Sequence, residues 1–146
     1  MDYEATYDKL YRYCWFKLHD RELAEDVTQE TFLRWLDSGR RGTDAYLYTI
    51  ARNLCIDHWR KQNQEKHQEE TVSPGPEDTV ILHTDLQQAL ATLAKEDQEL
   101  LLLRYVNEVP VGVVAKLLGV SRFTVYRRSE TSLKQLREHL GKENWP

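Results

Sequence analysis

The sequence predicts an all-α protein, two small helical domains joined by a flexible acidic linker, the second containing a helix-turn-helix. Three observations predict it. Apolar residues recur at helical spacing along nearly the whole chain, and no segment alternates with period two. From Gln62 to Thr79 the run QNQEKHQEETVSPGPEDT has one aliphatic residue, Val72, beside Pro74-Gly75-Pro76, too little apolar surface to order itself. From Val114 to Arg128, a small residue, a glycine, a capping serine and an aliphatic stand at the offsets that bend one helix into another. The expected boundaries are therefore 1–61, a linker at 62–79, and 80–146. Each domain is near the lower size limit for independent stability, so docking on a partner is expected.

In the first domain, Tyr7, Leu10, Tyr11, Cys14 and Leu18 form one face of a first helix. Asp20 is placed to cap a second helix, in which Leu23, Ala24, Val27, Thr31 and Trp35 repeat at helical spacing. The run from Asp37 to Asp44 has the Gly and Asp content of a loop. A third helix follows, with Leu47, Ile50, Ala51, Leu54 and His58 on one side. Beyond the linker, Leu86, Ala89, Leu90 and Leu93 open the second domain, and Leu100 to Leu103 form its most apolar run.

The turn chemistry of the second domain is specific. Ala115 is small enough for a second helix to cross closely, and Gly119 can take the left-handed conformation that ends a helix. Ser121 can cap the next helix, and Val125 points back into the junction. Val125, Ser129, Ser132, Leu133, Leu136 and Leu140 share one face of that helix. Arg122, Phe123, Tyr126 and Arg127 lie off it, near the N-terminal end that enters a major groove in this motif. Arginine pairs with guanine edges, and phosphates attract Arg127, Arg128 and the helix N-terminus. Phe123 and Tyr126 either touch thymine methyls or fold onto the domain. The alternative to DNA binding here is an αα-hairpin with solvated arginines.

Formal charge is −4 with a pI near 5.7, which taken whole speaks against a phosphate partner. The distribution withdraws that objection. Residues 37–61 carry five Lys/Arg against three Asp/Glu, and 104–146 carry eight against four. The acidic excess sits in 1–36, 62–79 and 80–103. Two basic islands between acidic stretches suggest separate surfaces for separate partners.

Other classes are disfavoured. No run of 18 apolar residues occurs, so no membrane insertion is expected, and MDYEATYDKL does not read as a secretory signal. Cys14 and Cys55 make no Cys-x-x-Cys pair and fit reduced thiols in a cytoplasm. His19, His58, His67, His83 and His139 have no zinc spacing, and no phosphate-binding glycine loop or nucleophile elbow is present. Neither catalysis nor a metal or cofactor is expected.

Ala24-Glu-Asp26-Val-Thr-Gln29-Glu30-Thr31-Phe32-Leu33-Arg34 and Tyr48-Thr-Ile-Ala51-Arg52-Asn53-Leu-Cys-Ile56-Asp57-His-Trp-Arg60-Lys61 resemble bacterial sigma factors. Leu100-Leu-Leu-Leu-Arg104-Tyr105, followed by the helix-turn-helix, resembles their sigma-four domain. The most similar group is the extracytoplasmic-function (ECF) sigma factors, which keep only the sigma-two and sigma-four domains. The resemblance covers roughly residues 7–61 and 84–140, in the right order around a linker.

The resemblance implies a transcription initiation factor that binds RNA polymerase core and directs it to promoters, with an anti-sigma factor as a further partner. It assigns core binding to Asp26, Gln29, Glu30 and Leu33, a stripe of acid, amide and aliphatic suited to a basic coiled coil. It assigns the opened −10 strand to Arg52, Asn53, Asp57, Arg60 and Lys61, where cations suit a backbone and an amide suits a base edge. Asp57 either joins that contact or orients a neighbouring arginine, and Trp59 is either a stacking surface or a packed ring. The −35 element falls to Ser121, Arg122, Phe123, Thr124, Tyr126, Arg127 and Arg128. A helix-turn-helix regulator that never joins polymerase is the competing function.

The chain departs from the family at three places. The loop from Asp37 to Asp44 is several residues shorter than usual where the family accepts a flipped base, although Gly39, Arg40, Arg41 and Gly42 offer a small cationic pocket. Val109-Pro110-Val111-Gly112-Val113 replaces a polar helix opening and is expected to pack into the domain. Ser129-Glu130-Thr131-Ser132 replaces a stretch containing Leu, His and Arg, so this domain alone should bind DNA modestly, with polymerase adding affinity by tethering.

Overall fold

A computed structural model of the chain describes residues 2–39, 44–68 and 84–141. All regular structure among them is helical, in two compact units, Met1–Thr79 and Val80–Pro146.

The first unit packs α1 (Tyr3–Leu18), α2 (Arg21–Asp37) and α3 (Asp44–Gln68) around one core. Asp2 and Asp20 cap α1 and α2, Asp20 Oδ1 accepting from the Leu23 N–H at 3.0 Å. Between them His19 stands at φ 51°, and its N–H closes the last turn of α1 on the Trp15 carbonyl. Leu10, Tyr13 and Cys14 meet Ala24, Val27 and Trp35 of α2 and Leu47, Tyr48, Ala51, Leu54 and Cys55 of α3 in the core. Thr28 and Thr31 are also buried, because each hydroxyl donates to the carbonyl four residues back, at 2.6 and 2.7 Å. The core face of α1 is rotated from the sequence reading: Tyr13, not Tyr11, is fully buried, its ring set edge-on to Tyr48 at 5.8 Å. Cys14 and Cys55 join α1 to α3. A hydrogen bond from Cys55 holds the Cys14 thiol below the usual thiol range, against the upward pull of burial.

Helix α3 runs to Gln68, beyond Lys61, where the sequence reading opened the linker. Gln, Glu and Lys propagate a helix once it is nucleated, with no need for an apolar face. Poverty in aliphatics therefore marks the end of the core, not the end of the helix. The rest of the expected linker lies outside the described residues, as do Arg40, Arg41 and Gly42 of the expected loop pocket.

The second unit contains α4 (Asp85–Ala91), α5 (Lys95–Leu101), which continues as a π-helical turn over Leu102–Val106, α6 (Val111–Leu118) and α7 (Arg122–Leu140). Thr84 and Gln87 form a reciprocal capping box at the start of α4. Leu86 departs from the expected core face and is 51% exposed, since α4 turns only Ala89 inward and Leu93 follows it. Leu100, Leu101 and Leu103 fill the centre with Val109, Val114, Ala115, Val125 and Leu136. The valine run packs in part as expected: Val109 is buried, and Val111 and Val113 are half-buried. Gly119 ends α6 at φ 69°, where a Cβ would be strained, and the Val120 N–H reaches back to the Ala115 carbonyl at 3.0 Å.

Candidate nucleic-acid interface

Helices α6 and α7 form the helix-turn-helix. Ser121 Oγ caps α7 by accepting the Thr124 N–H at 3.0 Å and donates to Thr124 Oγ1 at 3.0 Å. These two hydroxyls therefore fix the first turn of α7 while lying at its tip. Val125, Ser129, Ser132 and Leu136 anchor the helix to the core, the Ser129 hydroxyl returning to the Val125 carbonyl. The opposite side presents Arg122, Phe123, Tyr126 and Arg127, all exposed. Phe123, at 74% exposure, stands clear of the domain.

The structure separates the cations expected to act together. The Arg122 guanidinium lies over the start of α6: a Cβ built on Gly112 would come within 2.7 Å of its Nη2. Arg128, expected among the DNA contacts, is instead drawn back against α5. Its Nη1 lies 3.0 Å from Glu96 Oε1 and its Nη2 2.8 Å from Asp97 Oδ1. Its hydrogen bond to Glu96, with the charge of both carboxylates, makes the guanidinium harder to deprotonate than usual. Arg128 precedes buried Ser129 and sits at the edge of the packed face, within reach of two acids in the first turn of α5.

Arg104 was missed by sequence reasoning as a member of this surface. It lies in the π-helical turn, with its guanidinium 4.9 Å from the ring centres of both Tyr105 and Tyr126. The partners come from two helices far apart in sequence, so no local spacing reveals the stack.

On α3, Asn53, Asp57, Arg60 and Lys61 are exposed along the solvent side and Arg52 is half-buried beside them. Trp59, on the same helix, is 58% exposed and so is not a packed core ring. On α2, Asp26 and Gln29 are exposed, Leu33 is 57% exposed, and half-buried Glu30 accepts from Arg34 Nε at 3.0 Å. Beside this stripe runs an apolar groove of about 430 Å³ lined by Tyr3, Tyr7, Gln29, Phe32 and Leu33, with Tyr7 stacked on Phe32 at 5.9 Å. The groove joins two helices and was likewise invisible to periodicity. Among the described residues, no cluster of His, Cys, Asp and Glu could hold a metal ion, and no helix is long and apolar enough to cross a membrane.

The chain thus combines a helix-turn-helix unit, whose second helix presents cations and aromatic rings, with a three-helix unit carrying one acidic and one cationic stripe, the architecture of a helical nucleic-acid-binding protein. Residues 3–65 match the family described as Sigma-70 region 2, and residues 83–136 match Sigma-70, region 4. The chain belongs to the sigma-70 family of transcription initiation factors, in its ECF group. It is 33% identical over 135 residues to the ECF RNA polymerase sigma factor BldN of Streptomyces coelicolor, across 80% of this chain and 50% of that protein. It is 29% identical to ECF RNA polymerase sigma factor SigW of Bacillus subtilis, across 90% of this chain and 84% of that one. The chain thus spans half the length of BldN and most of SigW. Its fold is similar to that of sigma factor RpoE from Bartonella quintana, solved in complex with the anti-sigma factor NepR. That match has a TM-score of 0.70 at 20% identity and covers 92% of this chain and 91% of that one.

Proposed function

We propose that this chain docks on RNA polymerase core through α2, holds opened −10 DNA on α3 and reads −35 duplex through α7. The observation that supports this reading is the co-occurrence, in one chain and in family order, of an acid-amide-aliphatic stripe and two exposed surfaces that carry cations and aromatic rings. Asp26, Gln29 and Leu33 make the polymerase contact, and Glu30 shares its charge with Arg34. On α3, Arg52, Arg60 and Lys61 track the strand, Asn53 reads a base edge, and Trp59 offers a stacking face. Asp57 flanks these cations on the same exposed side.

On α7, Ser121 and Thr124 hold the tip while Arg122, Phe123, Tyr126 and Arg127 face the groove, with Arg104 beside them as a phosphate contact. Arg128 acts by fixing the angle of α7 on α5. The protein works in the cytoplasm by binding, without catalysis of its own, and an anti-sigma factor covering these surfaces restrains it.

The test is core binding. Wild-type chain should associate with purified core polymerase, and the pair Asp26→Ala with Leu33→Ala should weaken that association at least tenfold without changing the helical content. A wild type that binds promoter duplex and never binds core supports the helix-turn-helix regulator instead.

A further inference from the structure

The ring most exposed to solvent among the described large apolar side chains is Phe123, in the first turn of the recognition helix. Its position decides what it can do. The hydroxyls of Ser121 and Thr124 are committed to the cap, and the Arg122 head lies over Gly112. Three residues on, Tyr126 is half-exposed with its ring face occupied by Arg104. The leading edge of α7 is thus an apolar edge with a cationic rim, exposed Arg127 on α7 and Arg104 on the ring of Tyr126, the Arg122 head being turned back over Gly112.

That rim suits phosphates, so the apolar edge enters a groove between two charged backbones. Inside a major groove the one apolar group on a base edge is the C5-methyl of thymine. A phenyl ring offers no hydrogen bond to guanine, adenine or cytosine, and covering their polar edges would leave those groups unpaired. We propose that Phe123, flanked by Tyr126, is the specificity-determining residue that selects thymine by its methyl group within the −35 element. This deepens the −35 assignment made above and rests on it.

The test removes the methyl and nothing else. Holoenzyme formed from the full chain and core polymerase is used to initiate from fragments of its host's genome, and one promoter so obtained is rebuilt with each −35 thymine, on either strand, replaced singly by deoxyuridine. Pairing and backbone are unchanged. One or two positions should lose about threefold to fivefold in initiation, the size expected for burying one methyl group. Phe123→Ala should start from a lower activity and show no further loss at those positions, while Phe123→Leu should retain the loss.

Insensitivity of wild type to every uridine overturns the inference, as does a −35 element without A·T pairs or equal uridine sensitivity in Phe123→Ala. A Phe123→Ala protein that binds core less tightly than wild type also overturns it, by assigning the ring to a protein partner. Should the wild type initiate nowhere although it binds core, the initiation-factor reading itself falls and takes this inference with it. Those two failures are distinguished by whether any promoter-dependent transcript forms.

Discussion

Arg128 Nη2 lies 2.8 Å from Asp97 Oδ1, joining residues 31 positions apart and tying the recognition helix to α5. Nε of the same arginine is 3.0 Å from that oxygen, and Glu96 takes Nη1. The two carboxylates sit in the first turn of α5, where the helix dipole already favours negative charge. Arg128 and Asp97 are both about four-fifths covered, so solvent screens this pair less than a surface ion pair. Arg128→Ala should lower unfolding stability by about 1–2 kcal/mol and leave Asp97 partly buried without its cation. Urea unfolding followed by circular dichroism measures it. Arg128→Ala should also weaken −35 duplex binding, by freeing the angle of α7.

Gly112 and Arg122 form the second relationship that links packing to recognition. An alanine Cβ at residue 112 would meet Arg122 Nη2 at 2.7 Å, but the obstacle is the free end of a flexible side chain. Gly112→Ala should therefore fold, with stability unchanged or raised by up to about 1 kcal/mol from helix propensity. A loss above 2 kcal/mol in the same unfolding experiment contradicts a movable Arg122 head.

The thiols provide a third check. Cys14 and Cys55 are both almost completely buried, and Cys55 donates to Cys14. A lowered thiol pKa raises the fraction of reactive thiolate, whereas burial denies the reagent access. Access governs the rate here. Folded protein at neutral pH should react with a bulky disulfide reagent at least a hundredfold more slowly than urea-unfolded protein, as expected for groups exposed only by opening of the core. Equal rates contradict the packed α1–α3 contact.

Leu100 has no exposed surface and lies at the centre of the second unit. Leu100→Ala should cost about 2–5 kcal/mol through lost burial and the cavity left behind. A unit this small has little more than that in reserve, so −35 binding should disappear with its fold. Core binding through α2 should survive, because the first unit has its own core.

Much of this was legible in the sequence, and the reasons are local. The helix-turn-helix was readable because each of its parts, Ala115, Gly119, Ser121 and Val125, obeys a backbone rule of its own. The α2 stripe was readable from its spacing, and its exposure at Asp26, Gln29 and Leu33 followed from the burial of Ala24, Val27 and Thr31. What stayed hidden depends on pairs distant in the chain. Arg128 carries the same formal charge as Arg127, and only the acids of α5 distinguish a structural cation from a free one. Arg104 finds Tyr126, and Tyr7 finds Phe32, across helices whose order fixes no distance in advance. The end of α3 was misread because helix propensity outlasts the apolar face.

The most direct test of the account is run-off transcription with purified core polymerase on the promoter upstream of this chain's own gene. Wild type should give a discrete transcript that depends on the −35 and −10 elements. Arg60→Ala with Lys61→Ala should lose most of it on closed duplex and recover part of it on a template with a pre-opened −10 region. Absence of any promoter-dependent transcript, with core binding intact, would contradict the assignment of α3 and α7 to promoter DNA.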